Sequence, residues 1–223
     1  MYISTDAIIL KNIPYKESSV ISRVFTYEHG KISVIFKGAK KGKNNISAII
    51  EPTNIIDMTY YNNKSNLKNV KEVNLKKTFP NTRKILDNYY YMMAIIALLD
   101  KVCQENHQEE SLFNLLIKIF NNINNQDARV DIIFLYFLFQ FNKTLGLQVD
   151  LSNVENSLHN YIQIFNQENQ DVEKIENLLN DNIDLLKNIK MTIYKHMKHC
   201  LIDLNDIHAI KMLRNYGISS RSN

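Results

Sequence analysis

Four lysines and two glycines lie within seven residues, in the stretch KGAKKGK at positions 37–43. Ammonium groups bind phosphate oxygens and glycines let a backbone come close to a ligand, so this composition favours a phosphate-binding loop. A nucleotide-binding P-loop requires four residues between its glycines, followed by Lys and then Ser or Thr. Here Gly38 and Gly42 enclose three residues, and Asn44 follows Lys43. The loop is therefore predicted to contact a phosphate backbone rather than ATP, with ordinary solvated lysines as the alternative.

Other residues that could do chemistry lie in the second half of the chain. His196, His199 and Cys200 have the spacing of one helical face and could bind a metal ion, but nearby lysines and the lack of a paired acid favour an ordinary surface. Glu173, Glu176 and Asp184 are interpreted as a solvated helix face rather than an acid/base pair. No Ser-His-Asp, Cys-His or zinc-hydrolase pattern is present in the sequence. The sequence therefore predicts no catalytic residues, no metal and no cofactor.

Positive charge is concentrated in the first part of the chain. Residues 1–84 contain 15 Lys and Arg against six Asp and Glu, a net charge of +9, whereas the whole chain carries +4. The remaining residues have 12 basic and 17 acidic side chains, a net charge of −5. Such asymmetry indicates a polyanionic partner for the basic part.

The hydrophobic pattern changes at about the same place. Up to residue 77, apolar residues come in five short runs that are rich in Ile, Val, Phe and Tyr and are separated by turn residues. These are properties of strands. Five short strands without long helices between them predict a small barrel, since closure removes exposed sheet edges. The predicted strands lie within 7–10, 19–27, 31–37, 46–61 and 67–75.

Beyond Pro80, apolar residues recur every three to four positions, as in amphipathic helices. The segment VDIIFLYFLFQFNKTLG is apolar on nearly all sides, which predicts a central helix that ends at Gly146. The last helix is expected to stop at Gly217. The predicted fold is α+β: a five-stranded OB-fold barrel at 1–80 that binds DNA, followed by a helical-bundle domain at 81–223. The predicted helices lie within 82–104, 110–123, 130–146, 172–189, 190–202 and 206–217.

A small basic barrel with aromatic side chains is a common framework for binding nucleic acid. Lysines would neutralise phosphates without reading sequence, and exposed rings would stack on bases. About half of the barrel's aromatic residues are expected to be core, because they sit on alternating strand positions. The predicted DNA-binding residues are Lys16, Arg23, Lys37, Lys40, Lys41, Lys43, Lys68 and Lys71, with Tyr15 and Phe36 as aromatic partners.

The first part of the chain resembles the N-terminal region of the RecO family of bacterial recombination mediator proteins. The similarity covers about 75 residues. The helical region is less similar: it resembles the family in following the barrel and in the segment FNKTLGLQVDL. The resembling features are Pro14-Tyr15-x-Glu17-Ser18, Phe25-Thr26 before the Gly30 turn, Lys37-Gly38-Ala39-Lys40-Lys41, and Pro52 in the fourth strand.

The resemblance implies a DNA-binding mediator that anneals complementary single strands and assists recombinase loading in DNA repair. It implies single- and double-stranded DNA, a RecR-like mediator protein and the C-terminal tail of single-stranded-DNA-binding protein as partners. Many family members carry a four-cysteine zinc module shortly after the position of Gly146, but residues 147–170 contain no cysteine. Zinc is therefore not expected here. Without a signal peptide or an apolar run of spanning length, a cytoplasmic, nucleoid-associated protein is expected.

An acidic-hydrophobic tail requires an apolar groove with basic residues at its rim. The resemblance implies that the helical domain 81–223 binds partners and holds such a tail-binding surface, and its later helices carry basic residues among Ile, Leu and Met. An alternative function of a different kind is that of a non-enzymatic protein-binding adaptor whose basic barrel contacts an acidic protein. Steep salt-dependent binding to oligonucleotides would distinguish the two. The predicted partner-binding residues are Lys187, Lys190, Lys195, Lys198, Lys211 and Arg214.

Overall fold

The fold is described from a computed structural model. It describes residues 1–40, 45–179 and 182–219, with the side chains of 214–219 left out. The chain divides into two compact units, of which the first comprises Met1–Pro80 with Ile95–Phe113. The second comprises Asn81–Ala94 with the described residues from Asn114 onward.

Five strands form a closed barrel in the first unit, in the order β1-β2-β3-β5-β4. The β3–β5 pair is parallel and the other neighbours are antiparallel. This arrangement confirms the predicted OB-fold. The strands are β1 (Tyr2–Tyr15), β2 (Ser19–Thr26), β3 (Gly30–Phe36), β4 (Ile55–Tyr61) and β5 (Leu67–Lys77).

The barrel closes because β1 is long enough to pair on both sides. Its first half pairs with β4, its second half pairs with β2, and the register shifts between Ile9 and Lys11. Such an irregularity bends a strand, as barrel closure requires. Alternate residues of the strands fill the interior, including Ala7, Val24, Val34, Ile56 and Met58.

One predicted strand segment is wrong at its start, because residues 46–61 do not form one strand. Ile46–Ile49 forms a short helix, α1, and Pro52 lies in the turn before β4 rather than within it. Ile46 and Ile49 pack against the barrel core, and the Asn54 side-chain amide donates to the carbonyl oxygens of Ala48 and Ile49 at 3.0 and 3.1 Å. One turn of helix is too short for its periodicity to be read from sequence.

Seven longer helices follow in the described part of the chain, where the period of about 3.6 predicted six. The α4 helix is almost entirely buried, which confirms the prediction of a central helix, and Gly146 follows its end with φ +71°. The helices are α2 (Leu86–Val102), α3 (Glu110–Asn125), α4 (Val130–Thr144), α5 (His159–Asn166), α6 (Val172–Leu179), α7 (Ile183–Cys200) and α8 (His208–Ser219).

The predicted helix boundaries are wrong in two places, and one helix was not predicted. In place of the predicted helices 172–189 and 190–202, α6 ends at Leu179 and α7 begins at Ile183 and runs continuously through residue 190. The Asn182 side chain, at the N-cap of α7, accepts a hydrogen bond from the Leu185 N–H at 3.0 Å. The α8 helix continues through Gly217 to Ser219. The α5 helix was not predicted, since it lies in a stretch that reads as polar.

Residues 147–170, where zinc was not expected, are held by ordinary packing in the second unit. The rings of Phe139 and Phe165 lie 5.0 Å apart, and Ile162 is fully buried. The Gln140 side-chain amide donates to the Phe165 carbonyl oxygen at 2.6 Å. Among the described residues, no group of three or more His, Cys, Asp and Glu side chains is arranged to hold a metal ion. The residues present at 147–170 therefore do not fit zinc, and an apolar contact stabilises the segment instead.

Candidate nucleic-acid interface

A basic cluster forms at one end of the barrel, where the β1–β2 turn meets the loop after β3. The Lys40 N–H donates to the Ser18 carbonyl oxygen, and the Lys40 ammonium donates to the Lys16 carbonyl oxygen, both at 3.0 Å. Ala39 is buried in the barrel core and anchors the loop. The structure thus brings together four of the predicted residues, which we call the loop cluster: Tyr15, Lys16, Lys37 and Lys40.

All four side chains of the loop cluster are exposed. The Lys16 ammonium lies 5.3 Å from the centroid of the Tyr15 ring, which is 38% exposed. A cation over an aromatic face leaves the opposite face available for a base. Lys41 and Lys43 were also predicted to bind DNA, and both lie outside the described residues.

A second basic region lies at the β4–β5 loop and the start of β5. Lys68 is half-buried and its ammonium donates to the Asn63 carbonyl oxygen at 2.6 Å. The exposed Lys71 ammonium lies 5.0 Å from the centroid of the Tyr2 ring and 3.4 Å from a Glu72 carboxylate oxygen. Because an exposed ion pair of this kind is weak, Lys71 can exchange its carboxylate partner for a phosphate.

The outer face of β2 and β3 is covered by residues 95–113 of the same unit. The Lys31 ammonium donates to the Asp100 carbonyl oxygen at 2.8 Å, and the Asn106 N–H donates to the Lys31 carbonyl oxygen at 2.9 Å. The Phe25 ring stacks on Phe113, with centroids 6.3 Å apart, and is fully buried. This face commonly binds oligonucleotides in OB-folds. Here it is occupied by the chain itself.

The covering segment, residues 95–113, carries carboxylate side chains. Tyr27 donates a hydrogen bond to Glu110, and this contact raises the pKa of the Tyr27 hydroxyl. The Glu109 carboxylate lies 3.1 Å from the His107 ring. Negative charge at this face opposes a phosphate backbone, so the β1–β2 and β4–β5 loops are the better positions for DNA.

Two predicted DNA-binding residues need correction. Arg23 projects from β2 towards the covering segment, where its Nε lies 2.9 Å from an Asp100 carboxylate oxygen. Its charge is therefore already paired within the unit. Phe36 is 2% exposed and belongs to the barrel core, so its ring cannot stack on a base. Sequence did not indicate that Phe36 points into the barrel, or that another segment covers the face that carries Arg23.

Residues that sequence reasoning missed lie on β1, on β4 and in the β4–β5 loop. Tyr2 is 55% exposed and stands opposite Tyr61 in the β1–β4 register. Lys64 is exposed in the β4–β5 loop. The sequence signal that could have found Tyr2 is an aromatic residue at the end of a strand. That Tyr61 is its neighbour could not be read from sequence, because the two residues are 59 positions apart in the chain.

The predicted partner-binding lysines do not form one surface. Lys187 and Lys190 line a pocket of about 160 Å³ in the second unit. Lys195 lines a different pocket of about 540 Å³, and Lys198 is paired with Asp203 at 2.9 Å, which raises the pKa of Lys198. Lys211 is exposed on α8, and the Arg214 side chain lies outside the described residues.

The smaller pocket combines apolar walls with basic side chains. Its interior includes the Tyr91 and Phe134 rings, whose centroids are 5.1 Å apart, and burial raises the pKa of Tyr91. Ile183 is 66% exposed at the pocket. Arg129 also lines it and is paired with Asp131 at 2.9 Å. This is the chemistry that an acidic peptide with apolar side chains requires.

The His196, His199 and Cys200 group is tied to local contacts. The His196 Nε2 hydrogen bonds with the Leu147 carbonyl oxygen at 2.7 Å, and the Cys200 Sγ lies 3.9 Å from His196 Nδ1. His196 and His199 line the larger pocket. Both His196 ring nitrogens thus have neighbours in the protein, as in a structural histidine.

Comparison with known proteins decides the family. Residues 1–79 match the family described as Recombination protein O N terminal, and residues 83–157 match Recombination protein O C terminal. The chain belongs to the RecO family of DNA repair proteins. The two matches cover the barrel and α2 to α4, in the order expected from the resemblance.

Individual RecO relatives show the same extent of similarity. The DNA repair protein RecO of Salinibacter ruber is 29% identical over 156 residues, which cover 69% of this chain and 60% of the relative. That of Chlorobium limicola is 26% identical over 152 residues, covering 68% and 58%, and that of Bacillus pumilus is 27% identical over 151 residues, covering 68% and 58%. The chain therefore spans about three fifths of the length of the RecO relatives that it matches. None of the helices in the described part of this RecO chain has the length and hydropathy needed to cross a bilayer.

Proposed function

We propose that this RecO-family chain binds DNA through its barrel, anneals complementary single strands and assists recombinase loading in DNA repair. The observation that carries the proposal is the loop cluster, in which the Lys16 ammonium lies over the Tyr15 ring and Lys40 ties the loop after β3, which also carries the exposed Lys37, to the β1–β2 turn. Lysines and an aromatic ring on one small barrel suit a phosphate backbone with accessible bases. The relatives' name, DNA repair protein, agrees with this role.

Annealing follows from charge neutralisation. Two single strands repel one another through their phosphates, and ammonium groups that contact both strands lower this repulsion. Such contacts do not read bases, so the bases stay free to pair. No covalent chemistry is required, and we propose that the protein is not an enzyme.

The proposed path for DNA avoids the covered face of β2 and β3. It follows the loop cluster at one position and Lys64, Lys68 and Lys71 at another, because the covering segment carries carboxylates such as Glu109 and Glu110. Arg23 and Phe36 are therefore left out of the proposed interface.

Fluorescence anisotropy with a labelled single strand of mixed sequence tests the proposal. Affinity should fall steeply between about 50 and 200 mM salt, and mixing complementary strands with the protein should speed their annealing above the spontaneous rate. Absence of binding at sub-millimolar protein would instead favour the protein-binding adaptor.

We also propose that the second unit binds the acidic-hydrophobic C-terminal tail of a single-stranded-DNA-binding protein. The support is the pocket lined by Lys187, Lys190, Tyr91 and Phe134, where apolar walls adjoin basic groups. The tail's apolar side chains would enter the pocket and its carboxylates would pair with the lysines. A RecR-like mediator protein is proposed as a further partner.

Charge reversal tests the tail pocket. Lys187→Glu should weaken binding of a tail peptide roughly tenfold, since a carboxylate would replace an ammonium at the rim. Isothermal calorimetry measures the change. Lys195→Glu is the matched control, because it makes the same charge change in the other pocket. Equal losses in both variants would point to net charge rather than to this pocket.

A fragment experiment tests whether DNA binding belongs to the first unit rather than to the second. A fragment of residues 1–80, the predicted barrel, would lack Phe113 and would therefore expose the Phe25 ring. A fragment of residues 1–113 keeps the whole first unit and contains 16 basic and 11 acidic residues, whereas 114–223 contains 11 and 12. We expect 1–113 to bind single strands and 114–223 to bind far more weakly. Equal affinity of both fragments at matched salt would contradict this assignment.

A further inference from the structure

Two tyrosines form an exposed pair on the outside of the barrel. Tyr2 and Tyr61 are direct neighbours in the antiparallel β1–β4 register, and their ring centroids lie 5.5 Å apart. Tyr2 is 55% exposed and Tyr61 is 45% exposed. Large aromatic side chains are usually buried to a greater extent, so two adjacent exposed rings indicate a ligand surface.

The charges around this pair are suited to a polyanion. The Lys71 ammonium lies 5.0 Å from the Tyr2 ring centroid. Lys64 and Lys68 lie in the β4–β5 loop and at the start of β5, where Asn69 pairs with Tyr61. The Glu72 carboxylate is the close acidic neighbour, 3.4 Å from Lys71 and 64% exposed. Solvent screening at such exposure leaves its opposition to a phosphate small.

The ring geometry favours separated bases over a continuous stack. The two ring planes are inclined by 66°, so their free faces point in different directions. In a duplex, the base faces are covered by their neighbours and cannot reach a protein ring. In a single strand, the bases can splay apart, and each can stack on an aromatic side chain.

We infer that Tyr2 and Tyr61 form a stacking platform for the unpaired bases of single-stranded DNA, with Lys68 and Lys71 contacting the adjoining phosphates. This inference rests on the proposed DNA binding and adds to it a site, a strand preference and the residues responsible. The platform lies on β1 and β4, away from the β2–β3 face that residues 95–113 cover. Bases stacked there would make the protein prefer single strands to duplex.

The test compares a normal single strand with an abasic strand of the same length, each bound by the full chain. An abasic strand has the phosphates but no rings, so it reports charge contacts alone. The Tyr2→Ala/Tyr61→Ala variant should bind the normal strand about fivefold or more weakly for each ring removed, while its affinity for the abasic strand and for duplex is unchanged. Tyr2→Phe/Tyr61→Phe should bind like the original chain, because it keeps both rings.

Two controls keep the result interpretable. Leu75→Ala removes an exposed apolar side chain from β5 and should leave binding to the normal strand unchanged. Circular dichroism should show that all variants fold.

The outcomes separate this inference from the proposed function. Unchanged binding of the normal strand by the double alanine variant, or equal losses for normal and abasic strands, would overturn the platform while DNA binding by the original chain stands. If the original chain binds neither strand, the proposed function fails as well.

Discussion

Replacing Lys37, Lys40, Lys41 and Lys43 by alanine should flatten the salt dependence of single-strand binding by up to about 3 units of log affinity per log salt. Each ammonium–phosphate contact contributes a slope of about −0.7 on a single strand, because binding releases counterions. Over one decade of salt, four contacts therefore correspond to roughly several hundred-fold in affinity. Anisotropy titrations at several salt concentrations give the slope directly.

The loss should be nearly the same for every base sequence, since ammonium groups on a loop read charge and not base edges. Lys37 and Lys40 are exposed, so the variant should fold as the original chain does. A matched control replaces four exposed lysines outside the barrel, which removes the same net charge: Lys101, Lys174, Lys195 and Lys211. An unchanged slope in the loop variant, or an equal change in the control, would reduce these lysines to ordinary solvated charge.

Gly30→Ala should destabilise the first unit by about 3 kcal/mol or more. Gly30 has φ +62°, a conformation that costs an alanine about 1 to 2 kcal/mol. An added Cβ would also lie well inside van der Waals distance of the His107 backbone carbonyl. Backbone atoms cannot rotate away, so the covering segment must shift from β3.

Gly38→Ala is the control for this prediction. Gly38 has φ +72°, but an added Cβ meets no atom of the described residues within 4 Å. Its cost should be the conformational term alone, about 1 kcal/mol. Urea unfolding followed by circular dichroism measures both variants. Equal losses of stability would show that the contact between Gly30 and residue 107 contributes nothing beyond backbone strain.

Local sequence pattern was sufficient to predict the barrel and the helical bundle. The Val-, Ile- and Phe-rich strand run SVISRVFT and the all-round apolar character of VDIIFLYFLFQF are local properties, which a sequence displays directly. Short or polar elements were missed because they are too short or too polar to show a hydrophobic period. The α1 helix has four residues, and its end is capped by Asn54, which is five residues beyond Ile49.

The candidate site was predicted in part. Lys16, Lys37 and Lys40 were identified from composition, and the structure brings them together through hydrogen bonds between two loops. Arg23 and Phe36 were misplaced because residue type does not reveal whether a strand face is inside, outside or covered. The later lysines were grouped by spacing, but they line two separate pockets.

The sequence by itself determined the fold class, the concentration of positive charge before residue 85 and the lack of a four-cysteine zinc site, because each of these is local or compositional. Tertiary structure alone decided that Asp100 neutralises Arg23, that residues 95–113 cover the outer face of β2 and β3, and that Tyr2 stands beside Tyr61. These features depend on pairing and packing between residues far apart in the chain. Such contacts form only when the barrel closes and the covering segment buries its apolar surface against it. The local pattern of one segment therefore cannot specify which distant residue will be its partner.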